Sequence, residues 1–217
     1  MPLGLPTPLI ANLFACTGVA YLFAHWLDYH MVELVLKPIP VLMLVAVLLR
    51  RSRGGASATL ITLGLVASAL GDVLLSWSEG AFIAGLVAFL VGHVLYLSAF
   101  VVQEKSASLL RLLPFALWTG GVFAVLYPNL GELMVPVGAY VAVITVMAWR
   151  ASAMWGRVTG GGAALVGAAL FVASDSLLAI NKFADSFPLA EVAIMLTYWA
   201  GQLWIARSAL PSAHARS

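Results

Sequence analysis

The stretch ASATLITLGLVASALGDVLLS, residues 56–76, decides the fold. It holds a single charge, Asp72. A spanning helix needs about 20 mostly apolar residues, whereas a membrane β-strand needs about 9–11 with alternating polarity. This run is long and does not alternate, so it reads as a helix that crosses a bilayer. The rest of the chain resembles it. Of 217 residues 63% are hydrophobic and 9% charged, against about 45–50% and about 25% in soluble domains. No soluble fold of this length hides that much apolar surface. The expected fold class is all-α: a polytopic membrane protein of about eight transmembrane helices in a single domain, 1–217. The spans are expected at 8–27, 34–50, 56–76, 79–102, 109–126, 132–149, 161–181 and 187–208, from window length and from the charged or Gly/Pro breaks between runs.

Charge placement supports that count. With eight spans, Arg50, Arg51, Arg53, Lys105, Arg111, Arg150, Arg157, Arg207 and Arg216 fall on one side, and only Lys37 and Lys182 on the other. Basic loops stay cytoplasmic, so both termini are expected in the cytoplasm. Composition rich in Arg and Ala suggests a bacterial inner membrane. The basic residues report orientation, and no nucleic-acid patch is visible. The N-terminal MPLGLPTPLIANLF lacks a basic leader region and is expected to be the first span rather than a cleaved signal. The lone Cys16 is expected to be a small buried residue.

A second acidic segment matches the first. ALGDVLLS (69–76) and VASDSLLA (172–179) both read small-Asp-x-Leu-Leu-small, on spans four apart that run in the same direction. A tyrosine follows each aspartate in the next span, Tyr96 after Asp72 and Tyr198 after Asp175. Pro40 and Pro136 open weakly similar preceding spans. The pattern predicts an internal repeat, 8–102 and 109–208, as two parallel four-helix halves. Gly64, Ser68 and Gly71 beside Asp72, and Gly160, Ala164 and Ala168 below Asp175, form small-residue faces. They predict that spans three and seven pack together.

A carboxylate at mid-helix costs about 2.5–3.5 kcal/mol on insertion scales and normally faces a bundle interior. Asp175 is expected to be the deeper of the two. Other polar groups occur at related depth. Lys37 opens span two before Pro38 and Pro40. His93 and Tyr96 share a helix face, as do Glu191, Tyr198 and Gln202. Each alone suits a packing role, but their convergence from five spans predicts one buried site.

The segments LKPIP (36–40), LGDVLL (70–75), VGHVLYL (91–97), ASDSLLAINKF (173–183) and TYWAGQLWIA (197–206) resemble, in order and spacing, the YhhN-like family of membrane lysoplasmalogenases. The resemblance runs from about residue 34 to 207. It implies an eight-helix membrane hydrolase that cleaves the vinyl ether bond of a lysoplasmalogen. The products would be a fatty aldehyde and glycerophosphoethanolamine or glycerophosphocholine. By motif match, the family's polar positions fall on Lys37, Asp72, His93, Tyr96, Ser174, Asp175, Tyr198 and Gln202.

The chemistry suits those residues. A vinyl ether yields to acid rather than to nucleophiles. The acid protonates the carbon β to oxygen, and water captures the resulting oxocarbenium ion. Two carboxyls in different surroundings can supply the proton and the anion. By depth, Asp175 is expected to be the general acid and Asp72 the base, ionised beside Lys37, with the reverse order as the alternative. Lys37, His93, Tyr96, Ser174, Tyr198 and Gln202 would support or bind substrate. No cofactor is expected. His25, His30 and His214 lie at span ends or in the tail, so a three-histidine zinc site is not expected; no metal is expected, with an Asp/Asp/His site as the alternative. The expected partners are a lysophospholipid substrate and the bilayer itself. The alternative is a proton-coupled transporter of a small solute or lipid using the intramembrane Asp pair. Against it, the cytoplasmic halves of the spans carry few polar residues.

Overall fold

In hydrocarbon a backbone amide has only its own chain to bond, so each apolar run closes into a helix. The computed structural model describes residues 7–52, 54–106 and 108–211, and no strand occurs among them. The helices are α1 (Thr7–Trp26), α2 (His30–Leu36), α3 (Ile39–Arg51), α4 (Ala56–Trp77), α5 (Phe82–Gln103), α6 (Leu113–Leu126), α7 (Met134–Met154), α8 (Gly161–Phe183) and α9 (Ala190–Ser208). Helices α2 and α3 form one passage. It is interrupted at Lys37–Pro38, where the prolines remove two backbone donors. Eight rods therefore stand where eight spans were expected. Among the described residues, six stretches are long and apolar enough to cross a membrane: His30–Arg51, Ala56–Trp77, Phe82–Gln103, Leu109–Asn129, Gly131–Met154 and Gly161–Phe183. Helices α1 and α9 are the other two rods, of 20 and 19 residues. Arg53, His214 and Arg216 lie outside the described residues.

Two tight hairpins organise the bundle: α4 lies along α5, and α8 along α9. Both need glycine at the crossing. A Cβ on Gly64 of α4 would meet the Tyr96 ring of α5 at 2.4 Å, and one on Gly167 of α8 would meet the backbone nitrogen of Ile205 in α9 at 2.7 Å. Each glycine precedes its aspartate, Asp72 or Asp175, by eight residues. The expected meeting of spans three and seven through small faces is corrected here. Gly64 and Gly71 face Tyr96 and Phe89 of α5, while Gly160 and Gly167 face Ser208 and Ile205 of α9. Small residues serve the nearest neighbour in sequence, because a short connection leaves consecutive helices side by side.

Between the hairpins the core is aromatic. Phe171 of α8 is fully buried, with the rings of His93, Tyr198, Phe89 and Tyr96 edge-on at 4.6–6.4 Å. Edge-to-face pairs of this kind contribute about 0.5–1.5 kcal/mol beyond area burial. Cys16 is corrected from buried to exposed. It lies on the outer face of α1, where lipid replaces protein as the apolar neighbour.

Gly167→Ala should destabilise the bundle by about 1–3 kcal/mol, the usual cost of overpacking, because the obstructing atoms are backbone. Gly120→Ala, with nothing within 4 Å of the new methyl, should not destabilise it. Thermal unfolding midpoints of the two variants in detergent check this contrast.

Candidate active site

A cavity opens between the two hairpins and α6–α7, and Asp72 and Asp175 both line it. Lys37, Tyr140, Ser174 and Tyr198 are among its other polar residues, and Leu86, Val122 and Ile144 among its apolar ones. The space open to the centre of a water-sized sphere is about 90 Å³. One water needs about 10–15 Å³ by that measure, so the cavity is a narrow slot that suits a thin chain and a few waters.

Each carboxyl is held by a tyrosine from another helix. Tyr198 of α9 donates to Asp72 Oδ2 at 2.8 Å. Tyr140 of α7 donates to Asp175 Oδ2 at 2.6 Å. The Tyr140 bond falls within the range of charge-assisted O–H···O⁻ bonds, about 2.5–2.7 Å, and the Tyr198 bond has the length of an ordinary hydroxyl bond. Each leaves Oδ1 of its aspartate without that donor.

The two carboxyls differ in how far protein encloses them. Asp72 is 2% exposed, whereas the Asp175 side chain keeps 17% of its surface. Enclosure is distinct from position along the span: Asp72 stands five residues before the end of α4 and Asp175 eight before the end of α8. Lys37, expected beside Asp72, lines the same cavity, and its hydrogen bond goes to a third carboxylate. Lys37 Nζ donates to Glu191 Oε1 at 3.2 Å, and Tyr21 of α1 donates to the same oxygen.

Three of the expected residues stand behind the slot rather than in its lining. Tyr96 donates to Gln202 Oε1 at 2.6 Å, and Gln202 is fully buried. His93 is enclosed, with Nε2 3.8 Å from Asp175 Oδ2, beyond hydrogen-bond reach. Ser174 does line the slot, yet its hydroxyl donates to the Ile194 carbonyl of α9 at 3.0 Å. Among the described residues, no group of three or more His, Cys, Asp or Glu is arranged to hold a metal ion.

Residues 32–209 match the YhhN family. The chain belongs to that family. It is 37% identical over 223 residues to lysoplasmalogenase TMEM86A of Bos taurus, covering 94% of this chain and 90% of the relative. It is 40% identical over 179 residues to lysoplasmalogenase TMEM86B of Mus musculus, covering 82% and 76%. A lysoplasmalogenase of Mycobacterium bovis is 31% identical over 150 residues, covering 65% and 56%. No solved structure gives a significant match.

The slot of this YhhN protein also takes polar residues that are absent from the expected site. Tyr140 lies mid-span, in PVGAYVAV. A tyrosine in mid-span is an amphipathic side chain that needs a partner when buried, and that was the available signal. Lys182 also reaches the slot, 4.5 Å over the Phe82 ring.

Tyr96→Phe should lower the unfolding midpoint in detergent, at a cost of about 1–3 kcal/mol, because it leaves the buried Gln202 oxygen without its donor. Thermal unfolding followed by tryptophan fluorescence checks this.

Proposed function

We propose that this integral membrane protein is a hydrolase of lysoplasmalogens, cleaving the vinyl ether bond to release a fatty aldehyde and a glycerophospho-alcohol. The observation that carries the reading is the pair of tyrosine-held carboxyls in one narrow apolar slot. Relatives from mammals and mycobacteria bear the name lysoplasmalogenase, which supports it. The alternative, a proton-coupled transporter of a small solute or lipid, gains nothing from these comparisons.

Asp175 is assigned the proton and Asp72 the negative charge, since Asp72 shares its wall with Lys37. Asp175 gives its proton to the alkenyl carbon β to the ether oxygen, and the positive charge spreads over the α carbon and that oxygen. Water adds to the α carbon as Asp72 takes its proton. The hemiacetal then collapses: its hydroxyl proton returns to Asp175, and the departing glycerol oxygen receives the proton from Asp72. The sum is vinyl ether plus water giving aldehyde plus alcohol, with both carboxyls restored. Tyr140 and Tyr198 hold each carboxyl in register with the slot. His93, Tyr96 and Gln202 brace the wall from behind, and Ser174 fixes α8 to α9.

The same reading takes the carboxyl pair as the product of an internal duplication of 8–102 into 109–208, supported by the glycine eight residues before each aspartate. It also places both termini in the cytoplasm of a bacterial inner membrane, with the slot toward the opposite face. Support comes from Arg50, Arg51, Arg150, Arg157 and Arg207, which lie at the helix ends remote from Asp72 and Asp175.

Aldehyde release by purified protein from alkenyl against acyl lysophospholipids tests the reading. Only the alkenyl lipid should yield aldehyde. Asp72→Asn and Asp175→Asn should each reduce turnover about 10²–10⁴-fold, as loss of a general acid or base does. Full turnover by both variants would overturn the mechanism.

A further inference from the structure

A second recess adjoins the slot. It lies between the end of α1 and the α8–α9 connection, and its wall includes Phe23, His25, Trp26, Phe187 and Glu191. Glu191 belongs to this recess and Lys37 to the slot, and the two are joined at 3.2 Å. The ion pair is therefore the partition between the two spaces. It is only partly covered, with side chains 15% and 22% exposed, so its partners can exchange.

We infer that this recess and the Lys37–Glu191 pair form a subsite for a zwitterionic phospholipid headgroup, with the phosphodiester on Lys37 and the ammonium on Glu191. The inference rests on the reading that the slot takes the alkenyl chain. Three observations carry it. The linear order of slot, Lys37, Glu191 and recess matches the order of chain, phosphate and ammonium in the lipid. The recess is rimmed by the aromatic rings of Phe23, Trp26 and Phe187, and aromatic faces attract alkylammonium groups. The pairing itself selects. A purely anionic headgroup that draws Lys37 away leaves Glu191 without its cation, whereas a zwitterion brings a replacement. Tyr21, donating to the same Glu191 oxygen, holds the carboxylate in place during the exchange. His25 is engaged with Glu33 at 3.0 Å, so the recess is not left with an excess of positive charge to repel the ammonium.

The test compares alkenyl lysolipids of one chain length bearing choline, ethanolamine or glycerol on the phosphate. The glycerol head keeps the phosphodiester and loses the cation. For the unaltered protein, kcat/KM should favour the ammonium heads over glycerol by about tenfold, as expected for a cation held by a carboxylate and aromatic faces. Glu191→Gln should bring that ratio close to one, and Glu191→Asp should restore part of it. Trp26 is 81% exposed, so Trp26→Leu keeps the fold and should lower the choline-to-glycerol ratio even if the Glu191 variants fold poorly. Equal rates for all three heads in the unaltered protein, or an unchanged ratio in Glu191→Gln and Trp26→Leu, would overturn the subsite while leaving the hydrolase reading intact. Aldehyde from none of the three heads would overturn both.

Discussion

A carboxyl cannot be left alone in hydrocarbon, and the bundle is arranged around that constraint. Asp72 meets it through a hydroxyl 126 residues further along the chain, that of Tyr198. Asp175 meets it through Tyr140, 35 residues earlier. These bonds tie α4 to α9 and α8 to α7. Tyr96 and Gln202 add a bond between the hairpins α4–α5 and α8–α9, and beyond such bonds only van der Waals packing holds them together, since lipid tails are as apolar as leucine. The polar groups that line the slot also fix how the hairpins sit.

The packing around the slot follows from helix-crossing geometry. Glycine at the crossings lets each hairpin close tightly, which frees the other faces of α4 and α8 to carry aspartates inward. Phe171, ringed by His93, Phe89, Tyr96 and Tyr198, then fills the space between hairpins with rigid apolar volume. His93, Tyr96 and Gln202 are spent on this wall, so a polar side chain in mid-span here is as often a brace as a contact with ligand. Lys37 owes its position to the break between α2 and α3. Pro38 and Pro40 interrupt the helix there, and the lysine just before them reaches both the slot and Glu191.

Much of this was legible from residues alone. Span length and the scarcity of charge gave the helices to within a few residues. Asp72 and Asp175 stood out because acids are rare at such positions and occurred in matched settings. Tyr198 stood out by its spacing after Asp175, although its partner is Asp72 of α4. That exchange was invisible, because hydrogen-bond partners across a bundle depend on rotation and tilt, which apolar sequence does not encode. For the same reason the small-residue faces meet other neighbours than expected, the bond from Lys37 to Glu191 is not legible, and Cys16 faces outward.

The sequence by itself determined that this chain crosses a membrane in about eight helices, that two carboxyls lie within it, and that its motifs resemble those of the YhhN family. It could do so because hydropathy, span length and residue rarity are properties of the chain read in one dimension. Only the tertiary structure decided which tyrosine holds which aspartate, which aspartate is the more enclosed, and that Glu191 stands between the slot and a second recess. Those depend on which faces of separate helices meet, and in a bundle of nearly uniform apolar surface a handful of glycines, prolines and buried hydrogen bonds makes that choice.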